Sequence, residues 1–109
     1  MTAPRRLALT WTCDGRQRHI AIPEVGALYM GRDPDCDVVF DDGAFSRRHA
    51  LVYGRGGRAF VRHLSTTNAT YLNGRVVMGE AELRAGDELW LPVALVQVVA
   101  LDEAVAESV

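Results

Sequence analysis

Turn-forming residues punctuate this chain about every eight to twelve positions, and the stretches between them alternate apolar with polar side chains. Asp14-Gly15 and Asn73-Gly74 are the strongest two-residue hairpin signals, because the favoured hairpin turn needs positive φ at both central positions. Gly54-Arg55-Gly56-Gly57 predicts a further hairpin. Asp33-Pro34-Asp35, Asp41-Asp42-Gly43 and Ala85-Gly86-Asp87 interrupt the pattern elsewhere, since Pro fixes φ and Asp bonds its own backbone. Strand-like runs lie at 7–12, 18–22, 27–30, 37–40, 50–53, 59–62, 71–72, 75–77, 82–84, 88–91 and 93–101. The last run is the most continuous, and its β-branched residues favour a central strand over a helix. Many short strands with regular turns imply an all-β sandwich, with residues outside about 7–101 frayed; a short helical turn over 102–109 is the alternative for the tail.

At 109 residues the expectation is one domain spanning 1–109, and an apolar share of 49% is enough for a packed core. A formal charge of −2 argues against bulk attraction to nucleic acid or to an anionic membrane. All twelve basic residues are Arg. Coding bias accounts for that usage, given the abundance of Ala, Gly and Val, yet Arg also suits bidentate contact with phosphate. Cys13 and Cys36 are far apart and lack metal-ligand spacing, so neither zinc nor a disulfide framework is expected, and no cofactor is implied. No run has the length of a membrane span, and the first six residues are not followed by an apolar signal core. A cytoplasmic location without membrane insertion follows as the expectation.

Two polar clusters interrupt the strands. Gly31-Arg32 leads to Ser46-Arg47-Arg48-His49, and Thr66-Thr67-Asn68-Ala69-Thr70 follows about twenty residues later. They supply guanidinium, hydroxyl and amide groups, which grip a phosphate ester, without an evident nucleophile–base–acid set to break one. Ser46 and His49 invite a hydrolase reading, but no G-x-S-x-G elbow is present and no acid is placed to orient the imidazole. His49 reads as a packed structural histidine, and His19 and His63 receive no role. The acids Asp33, Asp35, Asp37, Asp41 and Asp42 lack the glycine and terminal glutamate of an EF-hand loop and read as turn formers. Arg48 is expected to point away from Arg47 into solvent. The aromatic residues Trp11, Tyr29, Phe40, Phe60, Tyr71 and Trp90 read as core.

Gly31-Arg32, Ser46-x-x-His49 and Asn68 followed by Asn73-Gly74, in this order and spacing, resemble a forkhead-associated (FHA) domain across about residues 7–101. The resemblance implies a sandwich of two mainly antiparallel sheets, about eleven strands, with the binding loops at one end. It implies a phosphothreonine-dependent interaction module acting in Ser/Thr kinase signalling and not an enzyme. Its partner would be a phosphothreonine-containing protein or peptide: a Ser/Thr kinase, that kinase's substrate, or a segment of the same parent chain. Carried over, Arg32, Ser46, Arg47 and Thr67 meet the phosphate, and Asn68 bonds the peptide backbone. Gly31, His49 and Asn73 support the site. Where the family has Asn-Gly, this chain has Asn68-Ala69; a positive φ there would strain Ala by roughly 1 kcal/mol. His63 stands where the family often has Asp. The alternative is a phosphate-independent interaction or scaffold domain of the same fold, holding partners through sheet faces or edges.

Overall fold

The computed structural model describes the backbone of residues 6–107 and side chains through residue 104. In chain order it contains β1 (Leu7–Cys13), β2 (Arg16–Ala21), β3 (Gly26–Gly31), β4 (Val38–Val39), β5 (Ala50–Arg55) and β6 (Arg58–His63). These are followed by β7 (Tyr71–Leu72), β8 (Arg75–Val76), β9 (Glu80–Leu83), β10 (Glu88–Leu91), β11 (Ala94–Ala100) and the helix α1 (Leu101–Glu107). The hairpin turns take the conformation their residues demand. Asp14 and Gly15 have φ of 53° and 74°, Gly56 and Gly57 of 60° and 77°, and Asn73 and Gly74 of 51° and 83°. Positive φ at both central residues matches the twist of the flanking strands.

Six strands form one sheet in the order β2-β1-β11-β10-β7-β8, and five form the other in the order β4-β3-β5-β6-β9. Every pair is antiparallel except β3–β4. Period-two alternation turns Leu9, Leu89, Leu91, Val96 and Val98 of the first sheet toward Met30, Val52, Val61 and Leu83 of the second. Each such side chain, fully buried, contributes about 1.5–3 kcal/mol of hydrophobic stabilisation. This is the all-β sandwich expected from the sequence.

Two expectations need correction. The chain does not fray after the last strand: Leu101–Glu107 is helical, with the Leu101 amide bonded to the Arg6 carbonyl at 2.9 Å. Asp102 and Glu103 in the first turn suit the positive end of the helix, and Ala104 is buried as α1 packs on β1, β2 and β11. Residues 1–5 and 108–109, also expected to fray, lie outside the described residues. The aromatic residues do not form a common core either. Trp11 and Phe40 pack against it, half-buried, and Tyr29 and Phe60 are also only half-buried. Tyr71 and Trp90 are 43% and 47% exposed. Trp90 lies between Leu89 and Leu91, both inward, so strand parity sends it outward. It pairs across strands with Tyr71, which pairs in turn with Val76.

Candidate functional site

The three connections β3–β4, β4–β5 and β6–β7 meet at one end of the sandwich. The end of β3 and the residues after it run alongside the residues before β5 through three backbone bonds, and a fourth ties the residue after β4 to β3. Arg32 N–H donates to Ser46 O and Asp33 N–H to Arg47 O, both at 3.0 Å; His49 N–H donates to Met30 O at 2.8 Å and Phe40 N–H to Gly31 O at 2.9 Å. This approach requires glycine at position 31. A Cβ there would fall on the Arg47 carbonyl oxygen and lie 2.9 Å from the His49 amide nitrogen. The close-approach role expected of Gly31 therefore has a specific cause.

His49 is fully buried. Its Nδ1 accepts the Ser46 N–H at 3.3 Å and its Nε2 meets the Ala69 carbonyl at 3.4 Å. An amide N–H only donates and a carbonyl only accepts, so the ring is the neutral tautomer protonated on Nε2. Burial pushes its pKa below the ordinary value of 6.5, partly opposed by the Ala69 carbonyl. The His49 carbonyl also accepts the N–H groups of Leu64 and Ser65 at 3.0 and 3.1 Å. One residue thereby ties the β4–β5 loop to the β6–β7 loop.

An aromatic ladder runs beneath these loops. Phe40 stacks on Phe45 at 4.5 Å, Phe45 meets His49 edge-on at 5.4 Å, and His49 meets His63 at 5.6 Å. His63, given no role from sequence, bonds through Nδ1 to Oγ1 of the buried Thr70 at 2.9 Å. Phe45, only 2% exposed, was likewise not singled out.

Above the ladder, Arg32 is exposed and its Nε donates to the Phe45 carbonyl at 3.2 Å. Arg47 is exposed as well, and among the described residues neither guanidinium has a carboxylate within ion-pair distance. Arg48 is exposed too, with its guanidinium 4.5 Å from the centre of the Tyr29 ring. Ser46 Oγ lies 2.6 Å from Ser65 Oγ and 3.2 Å from Thr67 Oγ1. Asn68 donates through Nδ2 to the Ala44 carbonyl at 2.8 Å, which links the β6–β7 loop to the β4–β5 loop. Arg32, Ser46, Thr67 and Asn68 thus converge through direct bonds within this loop cluster. Asn73 stands at the β7–β8 turn and bonds Glu88 and Asp87, so it acts on the hairpin that follows the site.

Ser65 was missed from sequence, although a Ser two and three residues before other loop amides is a known turn former. Ala69 carries no strain, because Asp14 and Asn73 are the non-glycine residues with positive φ among those described. The acidic turn readings hold for Asp33 and Asp42, whose carboxylates accept the Asp35 and Ala44 amides at 2.9 and 2.8 Å. Asp37 instead accepts the Tyr29 amide at 2.8 Å. Both cysteines are free; Cys36 is buried, donates its thiol to the Arg47 carbonyl, and has its pKa raised chiefly by burial. On the other side of Phe45 a cleft of about 550 Å³ opens between Trp11, Phe40 and Leu95. It carries Asp14, Asp41 and Asp42 and no basic residue, the wrong sign for a phosphate.

A sandwich with convergent polar loops at one end defines a loop-based recognition domain. The sequence model of the FHA domain matches residues 28–92, more than half of the chain, and the chain belongs to this family. Over 59 residues, 54% of its length, it is 42% identical to the glycogen accumulation regulator GarA of Mycolicibacterium smegmatis. It is 39% identical, over the same length, to the oxoglutarate dehydrogenase inhibitor of Corynebacterium jeikeium. These matches span 37% and 40% of those relatives. A solved FHA domain described for phosphothreonine-dependent interactions superposes with a TM-score of 0.77 at 29% identity, covering 86% of this chain and 95% of that one.

Proposed function

We propose that this chain is a non-catalytic module that binds phosphothreonine-containing protein segments and so recruits a partner after a Ser/Thr kinase has acted, in the cytoplasm. The observation that carries this reading is that the exposed Arg32 guanidinium is anchored through Nε to the Phe45 carbonyl, one residue before Ser46, whose hydroxyl lies 3.2 Å from that of Thr67. A phosphothreonine brings close to two negative charges and three acceptor oxygens. Arg32 and Arg47 supply charge, Ser46 and Thr67 supply O–H donors, and Asn68 offers its remaining N–H and its Oδ1 to the peptide backbone. Gly31 and His49 hold the loops, and Asn73 fixes the hairpin that follows them. Charge-assisted bonds are worth roughly 1.5–3 kcal/mol each, and three with peptide contacts give about −7 to −8 kcal/mol, a low-micromolar Kd. Hydrolysis is disfavoured by the same geometry. His49 spends both ring nitrogens on backbone groups, and the Ser46 hydroxyl bonds other hydroxyls instead of that ring.

The test is a fluorescence-anisotropy titration with a degenerate peptide library fixed only at its central residue, made with phosphothreonine, phosphoserine, threonine or glutamate there. Binding should require the phosphate and favour phosphothreonine. Arg32→Ala should lose about 2 kcal/mol of that affinity while shifting stability by less than about 0.5 kcal/mol, as exposed substitutions do. Equal binding by all four libraries would select the second reading, a phosphate-independent scaffold. The exposed cross-strand row Val76–Tyr71–Trp90 is what favours it.

A further inference from the structure

Ser65 is the hub of the hydroxyl cluster. It is 8% exposed and its Oγ touches four groups: Ser46 Oγ at 2.6 Å, Thr67 Oγ1 at 3.2 Å, and the backbone N–H groups of Thr67 and Asn68 at 3.2 and 3.3 Å. A serine hydroxyl has one proton to give and two lone pairs to receive with. The two amides only donate, so they fill both lone pairs. Neither Ser46 nor Thr67 then has a site on Ser65 to donate into, and the Ser65 proton must itself be given away. Its nearest recipient by 0.6 Å is Ser46 Oγ, the difference between the 3.2 and 2.6 Å contacts.

That assignment fixes the rest of the cluster. Ser46, already receiving from Ser65, has its own proton free for Thr67 Oγ1 at 3.2 Å or for an incoming acceptor. Thr67 cannot give its proton back to Ser65, whose lone pairs are occupied, so across the 3.2 Å Ser46–Thr67 contact only one of the two hydroxyls can donate to the other, and the remaining proton is directed out of the cluster. At least one outer hydroxyl is therefore held as an outward donor before any ligand arrives, and a dianionic phosphate, which presents only acceptors, can draw both protons.

We infer that Ser65 is a positioning residue that sets the donor polarity of Ser46 and Thr67, and thereby selects acceptor-only ligands such as the phosphate dianion over hydroxyl or amide groups. This rests on the reading that phosphate is what Ser46 and Thr67 meet. A loop-forming serine with no such role would still satisfy the two amides, so the test must separate proton direction from loop order.

A double-mutant cycle does so, with inorganic phosphate and N-acetyl-phosphothreonine methylamide as ligands, followed by amide chemical shifts of Thr67 and Asn68. Ser65→Ala should weaken both ligands by about tenfold, and Ser65→Thr, which keeps the hydroxyl, should stay within about twofold of the parent. In a Ser46→Ala background the main route from Ser65 to the ligand is already cut, and Ser65→Ala should then cost no more than about twofold. Full tenfold losses in both backgrounds would show that Ser65 only orders the loop and would overturn the inference. Should Ser65→Ala not fold, Ser65→Cys, a weak donor of similar size, takes its place with the same expected non-additivity. A parent protein that binds neither ligand overturns the phosphate reading itself; a parent that binds both while the cycle is additive overturns only the role of Ser65.

Discussion

The neutral His49 ring joins the Ser46 amide to the Ala69 carbonyl, and protonating it would put a second donor on Nδ1 against that amide. Burial lowers its pKa below 6.5, so between 6.5 and the depressed value the unfolded chain binds a proton that the folded chain refuses. The resulting stability is complete above pH 6.5 and is lost as the pH falls through the folded-state pKa. Urea midpoints measured from pH 7.5 down to 5 should therefore decline in the parent. His49→Asn cannot titrate; it should be less stable at pH 7.5 by about 1–3 kcal/mol and show a flatter acid limb. Parallel curves for the two proteins would assign the acid sensitivity to another group. At this scale the sequence made the meeting of Arg32, Ser46, Thr67 and Asn68 in one loop cluster legible, because their residue types and order resemble a family pattern. It did not reveal Ser65, whose importance comes from a loop curl that brings it beneath a residue 19 positions away. Nor did it show that Ala69 is unstrained, since that depends on a backbone angle only the folded loop defines.

Elements of two residues persist here only because something outside them holds them. Strands β7 and β8 are each that short, and an isolated hairpin of this size is not stable in water. Asn73 provides the anchor. Its N–H donates to the Glu88 carbonyl at 2.8 Å, its Oδ1 accepts the Glu88 N–H at 2.9 Å, and its Nδ2 donates to Asp87 Oδ1 at 2.9 Å. Asn73→Gly keeps the positive φ and removes the side-chain bonds, with a smaller added cost from the freer unfolded chain. It should cost about 1–2 kcal/mol, and hydrogen exchange at the Val77 amide, which closes the hairpin onto Thr70, should accelerate. Unchanged exchange there would mean the hairpin is held by the Tyr71–Trp90 pairing instead. The Asp14-Gly15 and Asn73-Gly74 turns were readable because those pairs have few other conformations to adopt; the third was read over Gly54–Gly57, whereas Gly54 and Arg55 continue β5 and only Gly56-Gly57 turn. Helix α1 was not readable in this way, although Leu101 and Ala104 share a face and two acids open the first turn. Seven residues carry too little helical signal to displace fraying as the reading, and packing on β1, β2 and β11 decides the matter.

Across the described molecule some arginines are ion-paired and others are not. On one sheet Arg55 and Arg62 share Glu80, and Arg58 and Arg84 share Glu82, at 3.2–3.7 Å with largely exposed guanidiniums. Such exposed pairs are worth about 0–1 kcal/mol and contribute little to the fold, which rests on apolar burial between the sheets. Among the described residues Arg32 and Arg47 have no such partner, although the chain as a whole is formally −2. Binding and folding should therefore respond differently to salt. Raising ionic strength from 0.1 to 1 M shortens the Debye length from about 10 to about 3 Å, which screens a dianion approaching the loop end but leaves the buried core unaffected. The Kd for a phosphothreonine peptide should rise by about tenfold over that range, while the urea midpoint measured in the same buffers stays nearly constant. An affinity indifferent to salt would mean that apolar contact drives association. The surface available for that is the exposed Val76–Tyr71–Trp90 row on the six-stranded sheet, and substituting Trp90 by Ser should then abolish binding where substituting Arg32 does not.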